Sequence, residues 1–304
     1  MNGKKKVLVT GATGYVGSDL IRKLIALDTT EIAVVIRDIK KAKELFGDSI
    51  TYILYETLEG FTSKVESFSP HVVIHLGAYS TSSDAPEDVE KLIESNIIFT
   101  SHLLLALSGC KIDVFVNTGS FSEFHNTDKE RSPTYFYSAT KSSARYMIEY
   151  FSKRDAFQFV NAILFTVYGK KTGTKKIIDY AFESLNATSS IAMSDGQQEL
   201  DFVHIDDVVA FYVNIIENYD KLDISQIDYD VGTGESHSIK ELVSSLEKLT
   251  GKKANIEWGV YTSRKVDTKR ACAEIAKTKK DLGYIVKFPF VEGLKKYIGS
   301  ISVK

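Results

Sequence analysis

An α/β fold, with a doubly wound parallel sheet joined to a smaller, interleaved C-terminal α/β lobe, is what this chain of 304 residues predicts. Three observations carry that expectation. Apolar runs of strand length alternate with helical stretches up to about residue 165. The glycines of Thr10-Gly-Ala-Thr-Gly-Tyr-Val-Gly17 directly follow the first run, Val7-Leu8-Val9, and open the first helix. The rest of the chain is mixed α/β without linker, repeat or low-complexity tract, so the second lobe is expected to interleave with the first.

The strand candidates are residues 6–10, 31–36, 50–54, 71–76, 114–118 and 158–165, short apolar runs of the kind buried on both faces of a parallel sheet. Helical periodicity marks 18–27 and 88–107 between them. Beyond lie a helix over 175–185, the turn Ser194-Asp195-Gly196, the segment 202–218 and a helix over 239–249. The expected division is a cofactor-binding part over 1–165 and a substrate-binding lobe over 166–304, with 201–232 returning to the first sheet.

With 43% hydrophobic residues and a formal charge of -2, the chain can bury a large core and has no charge excess suited to nucleic acid. The Lys4-Lys5-Lys6 run has no apolar signal core behind it and reads as a solvated start. No run is long enough to cross a membrane. Cys110 and Cys272 are too few and too far apart for a disulfide framework, which suits a reducing, cytoplasmic setting.

The glycines have distinct tasks in dinucleotide binding. Gly11 permits the tight turn, Gly14 the approach of a pyrophosphate and Gly17 close packing of the helix on the sheet. About twenty positions on, at the end of the second strand, an acidic residue would accept from the ribose hydroxyls of NAD. Arg37 stands there instead and suits the 2′-phosphate of NADP, with Lys40 or Lys41 as helpers. NADP is therefore expected over NAD, unless Asp38 pairs with Arg37.

Tyr137 and Lys141 are four apart and share one helix face. A tyrosine titrating near about 10 is a poor acid at neutral pH, and an adjacent ammonium is expected to lower that value and make a usable general acid or base. Ser120, at a strand's carboxyl end, can hydrogen-bond the reacting oxygen. The set points to nicotinamide chemistry on a hydroxyl or carbonyl.

These residues also carry a resemblance. Gly11-Ala-Thr-Gly-Tyr-Val-Gly17, Val73-Ile-His-Leu-Gly-Ala78, Asn96, Ser120, Tyr137 with Lys141, Val167-Tyr168-Gly169 and Asp201-Phe-Val-His-Ile-Asp-Asp-Val208 stand in the order found in extended short-chain dehydrogenase/reductases. The chain resembles their nucleotide-sugar epimerase/dehydratase group over essentially its whole length. Within it, Leu92-Ile-Glu-Ser-Asn-Ile97, Phe115-Val-Asn-Thr-Gly-Ser-Phe121, Tyr229-Asp-Val-Gly-Thr-Gly-Glu235 and Ile256-Glu-Trp-Gly-Val260 with Arg264 are similar to the CDP-paratose and CDP-abequose synthase group.

The resemblance implies a Rossmann fold and NADPH-dependent reduction at C4 of a CDP-linked 4-keto-3,6-dideoxy sugar for surface polysaccharide, with a 4-epimerase carrying NAD as the alternative. It also implies catalysis by Ser120, Tyr137 and Lys141. For the cofactor it implies Gly11, Thr13, Gly14, Tyr15, Val16, Gly17, Leu76, Gly77, Ala78, Asn96, Tyr137 and Lys141, beside Arg37. For the substrate it implies Thr81, Ser120, Phe121, Tyr137, Thr166, Lys176 and Arg264. The family's 4,6-dehydratases follow the catalytic Ser or Thr with Asp and Glu, whereas Phe121 and Ser122 stand here. Leu200, Lys170 and Thr166 replace the family's usual diphosphate-binding arginine, proline and asparagine, which leaves Arg264, with Lys176 to assist, for the diphosphate, and no residue reads the nucleotide base. A non-catalytic dinucleotide sensor is disfavoured by the intact catalytic set.

His75 and His204 lie in apolar runs and read as core histidines, since no second ligand stands at metal spacing; no metal is expected. Asp206 and Asp207 read as helix caps. The stretches Leu103-Leu104-Leu105 and Tyr146-Met147 with Tyr150-Phe151 are apolar for exposed helix faces. The family's equivalent helices pair as a four-helix bundle, which implies a homodimer.

Overall fold

The computed structural model describes residues 4–125, 130–171, 175–261 and 266–302. The chain begins with β1 (Lys5–Thr10), α1 (Tyr15–Leu27), β2 (Thr30–Ile36), α2 (Ile39–Phe46), β3 (Thr51–Leu54), α3 (Leu58–Phe68) and β4 (Val72–His75). It continues with α4 (Pro86–Ile93), α5 (Phe99–Leu107), β5 (Val114–Ser120), α6 (Phe136–Asp155) and β6 (Gln158–Leu164). Then come β7 (Thr166–Tyr168), α7 (Ile177–Ser184), β8 (Ile191–Ala192), β9 (Glu199–His204), α8 (Ile205–Asn218) and β10 (Asp228–Val231). Last are β11 (Ser236–Ser238), α9 (Ile239–Thr250), β12 (Ile256–Glu257), β13 (Arg270–Ala271), α10 (Ile275–Leu282) and α11 (Phe290–Ser302).

Seven parallel strands form the main sheet in the order β10-β6-β5-β4-β1-β2-β3. Because strand side chains alternate, Val7 and Val9 of β1 join one core with Leu20, Ile21 and Leu24 of α1, while Leu8 joins the other with Phe61, Val65 and Leu103. Each such side chain contributes about 1.5–3 kcal/mol on burial, so both faces are held under helices. Of the span 201–232 expected in this sheet, only β10 stands there. Residues 199–204 pair instead with β7, β11 and β13 in a four-stranded sheet. The fully buried Asp201 carboxylate accepts the amides of Thr233, Gly234 and Ala273, which ties the exit of β10 to this second sheet.

Helix α1 starts at Tyr15, three residues before the expected start, so Gly17 lies in its first turn. A Cβ at Gly17 would stand 2.2 Å from the Gly11 carbonyl oxygen and 2.9 Å from Ala12 Cα, both backbone atoms. Gly17→Ala is expected to cost about 1–3 kcal/mol of stability by forcing helix and loop apart. A melting curve superimposable on wild type would overturn this packing.

The expected helix over 88–107 is interrupted by a π turn at Glu94–Ile98. The expected caps also differ. His204 accepts the Asp206 amide at 3.2 Å to cap α8, and Asp207 instead receives the amides of Lys287 and Phe288 at 3.1 and 3.0 Å. Both acids still stand in the first turn of α8, where the helix dipole favours negative charge.

Candidate active site

The chain leaves β1 toward β2 on one side and returns as β4 on the other, opening a crevice at the carboxyl ends of the adjacent strands. Gly11 turns there with φ +67°, and a Cβ on it would lie 2.6–2.8 Å from Leu76 and Gly77 backbone atoms. The Leu76 amide donates to the Thr10 carbonyl at 3.3 Å and the Gly77 amide to Thr10 Oγ1 at 3.0 Å, so the two loops close on each other. Gly14 caps α1 without a side chain, and the first turn carries no acid. Its amides, with Thr13, Tyr15 and Val16 around them and Ala78 exposed on the facing loop, fit an anion such as a dinucleotide pyrophosphate. The Tyr15 phenol donates to the Lys170 carbonyl at 3.0 Å, and burial pushes it up to about 12.

Arg37 directly follows β2, exposed and without a hydrogen bond or ion pair among the described residues. Its alternative partner is engaged, because Asp38 caps α2 by accepting the Lys41 amide at 3.0 Å. Asn96 requires a correction. It is 1% exposed, its Oδ1 accepts the Tyr79 amide at 2.8 Å, and its Nδ2 donates to the Tyr79 carbonyl at 3.0 Å and Thr140 Oγ1 at 2.9 Å. Its amide therefore holds the loop after β4 and does not face the crevice. The π turn aims it there. In the same loop, Thr81 accepts the Ser83 amide at 3.1 Å.

Ser120 ends β5 as the cap of a 3₁₀ turn, Phe121–Glu123. Glu123 is fully buried. Its Oε1 accepts the Ser120 amide at 2.8 Å, and its Oε2 accepts Ser142 Oγ at 3.0 Å and Arg131 Nε at 3.3 Å. The Ser122 carbonyl takes the Thr134 amide at 3.0 Å and hydroxyl at 3.1 Å, which brings the start of α6 against this turn. Tyr137 and Lys141 follow on that helix.

The expected lowering of the phenol is not found. Burial pushes Tyr137 up to about 12, the negative Glu123 adds to it, and a hydrogen bond from Ser80 only partly opposes. Lys141 is 2% exposed and lowered to about 8 by the same burial, against Glu123 which raises it. Desolvation is the largest cause of both shifts, and each group also feels the Glu123 charge. The chain therefore holds a protonated phenol, suited to giving a proton. His75 is a satisfied core histidine as expected, pushed down to about 3 by burial, with Thr10 and Thr100 hydroxyls at 2.7 and 3.0 Å.

On the other wall Phe121 stacks on Phe165 at 5.7 Å between centroids. Thr166 Oγ1 is buried without a hydrogen-bond partner among the described residues, so a polar ligand atom there would satisfy it. Lys176 is engaged within the protein: its Nζ donates to the Val167 carbonyl at 2.8 Å and lies 3.5 Å over the Tyr15 ring. Burial lowers it to about 8, so any ligand contact there competes with both. Arg264 lies outside the described residues. Sequence reasoning missed Ser80 and Glu123; a glutamate three residues after Ser120 was visible as a capping-box spacing.

No group of three or more His, Cys, Asp or Glu that could hold a metal occurs among the described residues. Nor does a helix there have the length and apolarity to cross a membrane.

Residues 7–232 match the model of the NAD dependent epimerase/dehydratase family. The chain is 26% identical to a CDP-abequose synthase of Salmonella muenchen, covering 97% of each chain. It is 28% identical to a CDP-abequose synthase of Yersinia pseudotuberculosis over 86% of this chain and 90% of that one. Among solved structures, a mutant UDP-glucuronic acid 4-epimerase from Bacillus cereus, complexed with UDP-4-deoxy-4-fluoro-glucuronic acid and NAD, is similar with TM-score 0.87. It is 25% identical, and the match covers 98% of this chain and 99% of that one.

Proposed function

The chain belongs to the NAD dependent epimerase/dehydratase family, and from that premise we propose that it reduces the C4 carbonyl of a CDP-linked 4-keto-3,6-dideoxy sugar with NADPH. The observation that carries this reading is the protonated Tyr137 at the start of α6, which the Thr134 bonds to the Ser122 carbonyl hold against the turn capped by Ser120, two donors suited to one ketone oxygen. The similarity to CDP-abequose synthases supports the substrate class. The reduced nicotinamide, when bound, supplies the hydride. Tyr137 gives its proton to the oxygen as negative charge develops there, Ser120 hydrogen-bonds that oxygen, and the ammonium of Lys141 stabilises the resulting phenolate.

Residues 1–165 would hold the cofactor and 166–304 the sugar nucleotide, in a cytoplasmic enzyme serving surface polysaccharide synthesis. Exposed Ile98, Leu105, Tyr146 and Tyr150 on the outer side of the molecule support pairing of two copies through a four-helix face, with Leu105 47% and Tyr150 62% exposed.

The test is NADPH consumption with CDP-4-keto-3,6-dideoxyglucose, beside dTDP-4-keto-6-deoxyglucose and NADH controls, with C4 configuration read by NMR. CDP-specific oxidation supports the reductase. A second reading, an NAD-carrying 4-epimerase, is favoured by the neighbour solved with NAD. Interconversion of 4-hydroxy nucleotide sugars without external reductant would establish it.

Arg37, without a partner among the described residues, supports NADPH as the reductant. Charge-assisted hydrogen bonds to a phosphate are worth about 1.5–3 kcal/mol, so Arg37→Ala should lower the NADPH over NADH preference by roughly tenfold or more. An unchanged ratio of kcat/KM values would remove Arg37 from the cofactor site.

A further inference from the structure

Behind Ser120 lies a row of hydroxyls that the reading above does not use. Ser138, fully buried on α6, donates through Oγ to Ser122 Oγ at 2.7 Å, and Ser122 Oγ stands 2.8 Å from Ser120 Oγ. The Ser122 amide also donates to Ser120 Oγ, at 3.3 Å. Each hydroxyl has one proton and two lone pairs. Ser122 is 4% exposed and already accepts from Ser138, so Ser120 Oγ is the acceptor within reach for its own proton. The reverse direction would leave that proton buried without a partner, which costs more than a hydrogen bond gains. Ser120 Oγ thus accepts from behind twice, and its proton is turned to the open side.

We propose that Ser122, fed by Ser138, is a positioning residue that locks Ser120 as a hydrogen-bond donor and thereby selects a carbonyl over an alcohol at the reacting carbon. A ketone oxygen only accepts, and it meets Ser120 with a proton presented. An alcohol in the same place must also place its own proton, and an acceptor is what the row denies it. The Glu123 carboxylate fixes the other side of the residue by holding the Ser120 amide, so hydroxyl and backbone are set independently. The proposal rests on the carbonyl reading of the site, and it assigns Ser122 and Ser138 no contact with substrate.

The test is calorimetric titration of the cofactor-free protein with a 4-keto nucleotide sugar and with its 4-hydroxy counterpart, where no turnover occurs. Wild type is expected to bind the ketone more tightly. Ser122→Ala should narrow that discrimination by about fivefold, the equivalent of one net hydrogen bond, and Ser122→Thr should restore it. Ser138→Ala, which leaves Ser122 free to accept from Ser120, should narrow it as well. Discrimination in Ser122→Ala equal to wild type, with Ser122→Thr no different, would overturn the relay. The reductase reading fails separately, when wild type discriminates yet consumes no NADPH with the ketone. A wild type that binds neither ligand overturns both.

Discussion

Tyr137→Phe is expected to lower turnover by about 10² to 10⁴ while leaving cofactor affinity nearly unchanged, because it removes only the transferable proton. The phenol is held up at about 12 by burial and by Glu123, so at neutral pH it is almost wholly protonated and ready to donate. Its conjugate base is a poor resting state in that environment. In the proposed reaction the ammonium of Lys141 makes it accessible during transfer, and Lys141 itself is lowered to about 8 by burial. The sign follows from a lowered lysine: below about pH 8 the ammonium is present, and above it the charge is lost. The kcat/KM profile of the free enzyme should therefore be level toward acid and fall on the basic side near pH 8. Ser80 hydrogen-bonds the phenol and gives no proton to the reaction, so Ser80→Ala should cost far less than Tyr137→Phe. Near-normal turnover of Tyr137→Phe would sink the assignment of the proton donor. Loss of cofactor affinity in the same variant would assign the hydroxyl a cofactor contact as well as the proton.

Much of this site was legible because its parts obey local rules. The strands of the main sheet are apolar runs, since both faces are covered, and the spacing of Tyr137 and Lys141 places them on one face wherever α6 lies. Other features are tertiary in origin. The π turn at Asn96 is set by bonds to Tyr79 and Thr140, and helical periodicity over 88–107 cannot show an inserted residue whose cause is a neighbouring loop. Strands as short as β8, β12 and β13 have two residues each and no period to detect. The direction of the Tyr137 shift was misread because charge spacing is written in the sequence and burial is not. Leu103 and Leu104 point into the core while Leu105 points out, a division that an unbroken leucine run conceals.

Arg131→Ala is expected to destabilise the fold by about 3 kcal/mol, through a buried charge cluster directly behind the candidate site. Arg131 donates to Asp228 Oδ1 at 2.6 Å and to Glu123 Oε2 at 3.3 Å, and its side chain is 13% exposed. Asp228 has other support: Arg145 at 3.3 Å and Asn161 Nδ2 at 2.7 Å remain when Arg131 is gone. Glu123 has no second hydrogen-bonded cation among the described residues, only the field it shares with Lys141. It keeps the Ser120 amide and the Ser142 hydroxyl, two neutral donors, for a carboxylate with no solvent exposure. The cost of Arg131→Ala should therefore lie mainly in an uncompensated charge on Glu123, and removing that charge should recover part of it. The double variant Arg131→Ala with Glu123→Gln is expected to be more stable than Arg131→Ala alone, a positive coupling that denaturant titration can read. Additive losses would show that Arg131 contributes by packing and not by pairing. Glu123→Gln alone also removes the field that raises both Lys141 and Tyr137, so the basic limb of its kcat/KM profile should move below pH 8. A cluster that only braced the fold would leave that limb where it stands in wild type.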